Sequence, residues 1–338
     1  MNARVAAILV VLLVVLGGAA LLFQREESAR RPENVATLGQ PLLKQLPAAA
    51  IAQIRIVEPK ATLTLQRKEG GWVIAERGGF PADIGKVREF VLKMIELKIG
   101  QSEPAAERDR ARLNLDASGT QVEFGGADGK TLGRLIVGKK YFRREVDNPD
   151  RAAADGRFVG LPGEAKLVYI VSDPLAQASA RSADWIDRAS FQVEKVKALE
   201  VRYPAGGGWR IERGGENAPW KLAAAKPGEK LDSGRANAAT YSLSLLELAD
   251  VAPQDAKDAG LDTPTLINAT TLDGRSYAIR VGKLAGEDYY VAFRASGEPV
   301  KPREKLLSDH LLLMPKSKLA DTLKKRSELL EKKEGTRK

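Results

Sequence analysis

The chain has no cysteine and a single histidine, His310, in 338 residues. The first absence excludes a disulfide framework, a thiolate metal site and a cysteine nucleophile. It suits an oxidising compartment, where a lone thiol is a liability. The single histidine excludes multi-histidine zinc sites, and any dyad or triad that uses histidine must use this one. The run Ser308-Asp309-His310 is not a triad, because triad members are brought together by the fold and not by adjacency. His310 therefore reads as a surface residue near the end of the second domain. Aromatic residues make up only 6%, and no run of them suggests a sugar-stacking platform.

What remains is an ordinary globular composition, 43% hydrophobic and 29% charged, long enough for two domains. The net charge of +10 is partly local. From Lys316 to Lys338 there are nine Lys or Arg against four Asp or Glu, half of the excess. Basic charge without interleaved aromatics argues against nucleic acid as a partner. The segment reads as a basic tail, helical with Leu319, Leu323 and Leu330 near one face, or disordered.

Val5 to Phe23 is a run of nineteen residues without a charge. As a helix it would span roughly 28 Å, close to the hydrocarbon thickness of a bilayer. It is longer than the apolar region of a signal peptide and ends in Leu21-Leu22-Phe23 instead of small residues, so an uncleaved anchor is expected. Arg4 precedes the run and Arg25, Arg30 and Arg31 follow it, so flanking charge hardly chooses an orientation. Gln24 to Gln45, with Pro32 and Pro41, reads as a tether.

The stretch Gly133 to Lys140, GRLIVGKK, falls one residue short of a phosphate-binding loop, with Lys140 where Ser or Thr would hold magnesium. Its inner residues, Arg134 to Val137, form a buried-strand run rather than a flexible turn. A second copy explains it better. Asp128 to Lys139 and Asp273 to Lys283 both begin with Asp-Gly, a hairpin turn signal, and both end in Val-Gly-Lys. Trp72 and Trp220, Asp83 and Asp232, Leu115-Asp116 and Leu261-Asp262 match in the same order, at offsets of 148, 149 and 146 residues. Gly138 and Gly282 follow at 144. Ordered matches with so little drift indicate a duplicated unit.

Each copy reads as strands, one helix, then strands. Copy one has strands near Ile54–Val57, Thr62–Arg67, Trp72–Ala75, Gln121–Phe124, Thr131–Val137, Arg157–Gly160 and Val168–Val171. Its helix follows Asp83, a plausible N-cap, with Ile84, Val87, Phe90, Val91, Met94 and Ile95 on one apolar face. Copy two has strands near Ala198–Tyr203, Trp209–Arg213, Trp220–Ala223, Thr265–Thr271, Tyr277–Val281 and Tyr289–Phe293, with a helix after Asp232. Hairpin-length connections predict an α+β fold, two tandem mainly antiparallel sheet modules with one packed helix each, behind an N-terminal transmembrane helix. Trp72 and Trp220 read as core. Phe142 to Gly156 is a polar insertion whose acids, Asp147, Asp150 and Asp155, lack calcium-loop spacing.

The ordered motifs Trp72, Pro81-Ala82-Asp83, Leu115-Asp116, Asp128-Gly129 and Val137-Gly138-Lys139, then VYIVSDP from Val168, resemble the family known as domain of unknown function 4340. The resemblance covers about Ile51 to His310. Copy two departs at Leu231-Asp232, where Pro-Ala-Asp is expected, and lacks a clear Val-Tyr-x-Val strand. The resemblance implies a protein anchored in the bacterial cytoplasmic membrane, with most of the chain periplasmic or otherwise extracytoplasmic. It also implies an ABC transporter permease and other membrane subunits as partners. It brings no catalytic residues, and no catalytic, cofactor-binding or metal-binding residues are expected. The domains expected are an anchor (1–24), a tether (25–50), a first repeat (51–175), a connecting segment (176–195), a second repeat (196–312) and the tail (313–338). The function expected is a non-enzymatic accessory subunit. The alternatives are an independent module that binds a cell-envelope polymer and a glycoside hydrolase using paired carboxylates.

Overall fold

The computed structural model describes residues 37–188, 191–299 and 301–332. The expected anchor, Val5 to Phe23, lies outside them, as does the tether up to residue 36. Among the described residues, no helix is long and apolar enough to cross a membrane.

The fold is α+β with two antiparallel sheets. The first copy contributes β1 (Ile51–Glu58), β2 (Ala61–Lys68), β3 (Gly71–Ile74), β4 (Phe80–Pro81), α1 (Ile84–Glu96), β5 (Gln101–Pro104), α2 (Glu107–Arg112), β6 (Thr120–Gly126), β7 (Thr131–Tyr141), β8 (Gly156–Gly160) and β9 (Leu167–Val171). The second contributes β10 (Val196–Arg202), β11 (Gly208–Glu212), β12 (Lys221–Leu222), α3 (Ser233–Tyr241), β13 (Asp250–Val251), β14 (Thr265–Thr271), β15 (Ser276–Ala285), β16 (Asp288–Ser296), α4 (Pro302–Ser308), β17 (Leu311–Pro315) and α5 (Lys316–Leu319).

The nine-stranded sheet has the order β4-β3-β2-β1-β6-β7-β8-β9-β5, and the eight-stranded sheet β12-β11-β10-β14-β15-β16-β17-β13. The second order repeats the first strand for strand, apart from the two-residue β4. Even the return is repeated, since β5 pairs antiparallel with β9 and β13 with β17. A shared strand order is what a duplicated sequence should produce. The chain divides into two compact units. Among the described residues, one holds 37–49, Leu92–Glu123 and Thr131–Ala178; the other holds Ala50–Val91, Phe124–Lys130 and those from Ser179 onward.

Alternation builds the sheets. On β10 and β11, Leu199 pairs with Ile211 and Val201 with Trp209 on the core face, while Glu200 and Arg210 pair on the other. On α1, Val87, Phe90, Val91 and Met94 are buried, as their three-four spacing predicts. Ile84 departs from that face and is 55% exposed. It is the first residue of the helix, before the turn has closed over the core. The short helices α2, α4 and α5 add to the one helix per copy that periodicity predicts.

The structure corrects the reading of residues 313 onward. Leu311–Pro315 is the last strand of the second repeat, the one missing from its sequence pattern. Residues 316–332 after it are no free tail. Leu319, Thr322 and Leu329 are fully buried. The indole Nε1 of Trp209 and the hydroxyl of Tyr203 both donate to the Lys324 carbonyl, at 2.7 and 2.6 Å. Arg326 pairs with Glu229 at 2.7 Å. That guanidinium, with the Lys226 amide, holds the Glu229 carboxyl down at about 2.

This strap has a counterpart in the connecting segment. The Asp232 amide donates to the Leu329 carbonyl at 2.9 Å, and the Asp83 amide donates to that of Trp185 at 2.7 Å. Leu231 bridges Leu330, and Ala82 bridges Ile186. The partners are again 144 residues apart. The repeat therefore extends to a closing strap in each copy, which crosses the start of that copy's own helix. Trp185 plugs the first strap, edge-on to Phe90 at 5.2 Å, with its Nε1 donating to the Ser179 carbonyl.

Candidate functional site

The near-loop that suggests a phosphate site is a β-bulge. Register shifts between Val137 and Lys140 on β7, and between Val281 and Leu284 on β15. A methyl group on Gly138 would stand 2.4 Å from the Leu113 carbonyl oxygen; on Gly282 it would stand 2.1 Å from that of Ala259. Glycine is required there by the close approach of a neighbouring loop. That loop carries the Leu-Asp motif. The amides of Lys139 and Lys283 each donate to it at 2.9 Å, to Leu113 and Ala259 respectively. Arg110 binds the Leu115 carbonyl at 3.1 Å, and Arg280 binds that of Leu261. Within the loop, Ser118 donates twice to Asp116 and holds its carboxyl below the usual range.

The Lys139 and Lys283 amides are committed to the Leu-Asp loop instead of to a phosphate, and the ammonium groups of Lys140 and Lys283 are occupied as well. Lys140 Nζ donates to the carbonyls of Pro149, Asp150 and Ala152 at 2.8–3.2 Å, closing the polar insertion. Lys283 Nζ pairs with Asp258 at 2.6 Å.

The remaining shared motifs also have structural work. Gly129 and Gly274 take positive φ, 78° and 83°, in the hairpin turns. Asp83 accepts from the amides of Gly85 and Lys86, and Asp232 from that of Arg235, which caps both helices. Trp220 is buried, its Nε1 donating to Asn237 Oδ1 at 2.9 Å, with the Arg213 guanidinium 4.6 Å from its ring. Trp72 is half-buried.

His310 is half-buried instead of lying free on the surface. Its Nδ1 faces the Leu306 carbonyl at 2.8 Å, its Nε2 faces that of Gly78 at 3.4 Å, and its ring meets Phe80 edge-on. The adjacent Ser308 hydroxyl donates to the Glu304 carbonyl, so the run Ser308 to His310 forms no relay. Among the described residues, the buried carboxylate is Glu304, 2% exposed. It is bound to Arg275 and accepts from Tyr277 at 3.2 Å. No group of three histidines or acids among the described residues could hold a metal.

Open space lies elsewhere. In the first unit a cleft of about 440 Å³ is lined by Leu42, Leu43, Thr131, Gly133, Leu161 and Glu164. In the second, a cleft of about 590 Å³ on the exposed face of the sheet is lined by Lys197, Arg210, Arg213, Lys221, Glu212 and Thr270. A third, about 510 Å³, shares Arg213 and is flanked by the exposed Tyr241. The lining side chains of the two clefts in the second unit favour binding through charge and hydrogen bonds. Sequence reasoning missed the basic cleft because its cations come from β10, β11, β12 and the turn after β11. The available signal was Lys197, Arg210, Arg213 and Lys221 on or beside neighbouring strands, with Glu212 the single acid among the lining residues.

The model of the family described as a domain of unknown function (DUF4340) matches residues 72–264 of the chain, from the first Trp landmark to just past the second Leu-Asp motif. No curated protein and no solved structure matches it.

Proposed function

The chain belongs to the DUF4340 family, and from that premise we propose that it is a non-enzymatic, membrane-anchored accessory subunit of an ABC-type transport system, acting through extracytoplasmic repeat domains. The observation that carries this reading is the duplication. Two sheets of one strand order have their shared motif residues committed to bulges, caps and turns. What such a pair offers is surface, in two related versions. The apolar run Val5 to Phe23 supports the anchor, and the family resemblance supports the transporter partner. Purification of the full-length chain from its own host in mild detergent, with co-purifying proteins identified by mass, tests this. A permease and an ATPase are the expected companions. A lone protein, also negative on crosslinking, would sink the reading.

One observation favours a second reading, an independent envelope-polymer-binding module. It is the basic cleft in the second unit, a ligand-sized space that needs no membrane partner. Retention on purified wall material by a chain that co-purifies with no transporter subunit would establish it.

A further inference from the structure

On the solvent face of the eight-stranded sheet, one row of paired residues runs Lys221, Glu212, Ala198, Thr270 across β12, β11, β10 and β14. Ala198 is the floor. Its methyl group lies between longer neighbours, and the cleft of about 590 Å³ opens above it. Lys197, Arg210 and Arg213 also line it, so four cations face a single carboxylate.

The cations are not equivalent. Arg210 lies 3.4 Å from Glu212. Arg213 is held by the carbonyls of Val196 and Glu216 and by the Trp220 ring. Among the described residues, Lys197 and Lys221 make no ion pair, and both are exposed. Two free ammonium groups thus stand over a rigid floor beside two fixed guanidinium groups.

The first copy lacks this arrangement. Strand register places Ala52, Gln53, Thr64 and Gln66 at the positions of Lys197, Ala198, Arg210 and Glu212. The tryptophan landmarks place Val73 at Lys221. Gln53 occupies the floor position, its side chain lying against Gly125. Arg67 keeps the cation of Arg213, but the other three cations belong to copy two alone.

We propose that this cleft binds the phosphate groups of an anionic ligand, supplied either as a lipid headgroup or as a free phosphate polymer. A lysine ammonium is a mobile point charge with three donors and suits a phosphate. The fork that bidentate recognition of a carboxylate favours is taken up in Arg213 and is shared with Glu212 in Arg210. Bases would find no platform, since the Trp220 ring is buried under Arg213. The proposal is independent of the transporter reading.

The test uses the full-length chain in nanodiscs of zwitterionic lipid, titrated with inorganic polyphosphate, and in nanodiscs containing phosphatidylglycerol. Labelling of lysines by an amine-reactive reagent is read by mass. Protection of Lys197 and Lys221, but not of the exposed Lys60 and Lys166, is expected with at least one probe. Protection by polyphosphate identifies a soluble polymer site; protection by phosphatidylglycerol identifies a headgroup site. The double variant Lys197→Glu, Lys221→Glu should weaken that binding by more than about thirtyfold, since loss of the two lysine charges alone accounts for about 1 kcal/mol each near an anionic surface. The charge-matched Lys60→Glu, Lys166→Glu variant should leave it unchanged. No protection by either probe, or equal weakening in both double variants, overturns the proposal.

Discussion

The sign of one substitution decides whether the Val-Gly-Lys motif is understood. Glycine to alanine in a strand whose φ alanine can adopt normally stabilises a protein by about 0.4–1 kcal/mol, through the unfolded chain. Gly138 and Gly282 do not have positive φ, so that gain would apply if space allowed. It does not. The added carbon would stand 2.4 Å from the Leu113 oxygen, or 2.1 Å from that of Ala259, and both of those atoms are backbone. The loop must retreat, and the 2.9 Å bond from the following lysine amide is lost with it. Overpacking costs about 1–3 kcal/mol and the lost hydrogen bond about 1. Each alanine variant should therefore destabilise by about 2–4 kcal/mol, read from the midpoint of urea unfolding. Gly129→Ala is the contrast, because a methyl there meets nothing within 4 Å. Its cost is left-handed backbone strain alone, about 1–2 kcal/mol. A neutral or stabilising Gly138→Ala or Gly282→Ala would refute the docking of the Leu-Asp loop as the reason for glycine.

Removing residues 316–338 should destabilise the second unit by about 3–6 kcal/mol, since Leu319 and Leu329 lose full burial; an unchanged thermal midpoint would mean that the strap is dispensable. Glu304→Ala should cost about 3–5 kcal/mol in the same assay, because it leaves the buried Arg275 guanidinium without its partner; a cost near zero would contradict that pairing. Burial, with a glutamate beside each, pushes the phenols of Tyr169 and Tyr277 up to about 12. The folded state then holds these protons more tightly than the unfolded chain. The stability this contributes is complete below about pH 10 and is lost as pH rises through about 12. Phenolate absorbance should show these two tyrosines ionising late, Tyr277→Phe should remove one of them, and complete ionisation near pH 10 in the folded chain would be inconsistent with their burial.

The hairpin strands were legible because each has a local signature. Thr265–Thr271 alternates inward and outward residues and ends before an Asp-Gly turn, and both helix starts carry an aspartate cap. The sheet margins had no such signature. Gln101–Pro104 is a strand because β9 lies beside it, pairing Gln101 with Ile170, and its own composition says little. Leu311–Pro315 is apolar enough to be a strand, but the lysines after it made the segment look like the start of a tail. Those lysines stay on the surface while Leu319, Thr322 and Leu329, spread over eleven residues, are buried among chain distant in sequence. A strap without periodicity shows itself only through the groove that it fills. The basic cleft was hidden for a related reason, because its cations become neighbours only when strand register is known.

Duplication supplies an internal comparison that composition does not. A residue needed by the fold should appear in both copies, and the shared landmarks behave that way. The bulge glycines, turn glycines, helix caps and straps serve matching backbone contacts. Residues present in one copy are under a different requirement. Copy one alone has the insertion closed by Lys140. Copy two alone has Glu304 on α4 clamped to Arg275, and it alone has Lys197 and Lys221 over Ala198. Lys140 is spent on the carbonyls of the insertion, and the Arg275 pair is sealed from water, so neither of these two cations presents free charge. The lysines do, and a cation excess without a structural partner serves no packing purpose. In a protein whose recognisable motifs all build the scaffold, function is best sought where the two copies differ and the side chains remain uncommitted.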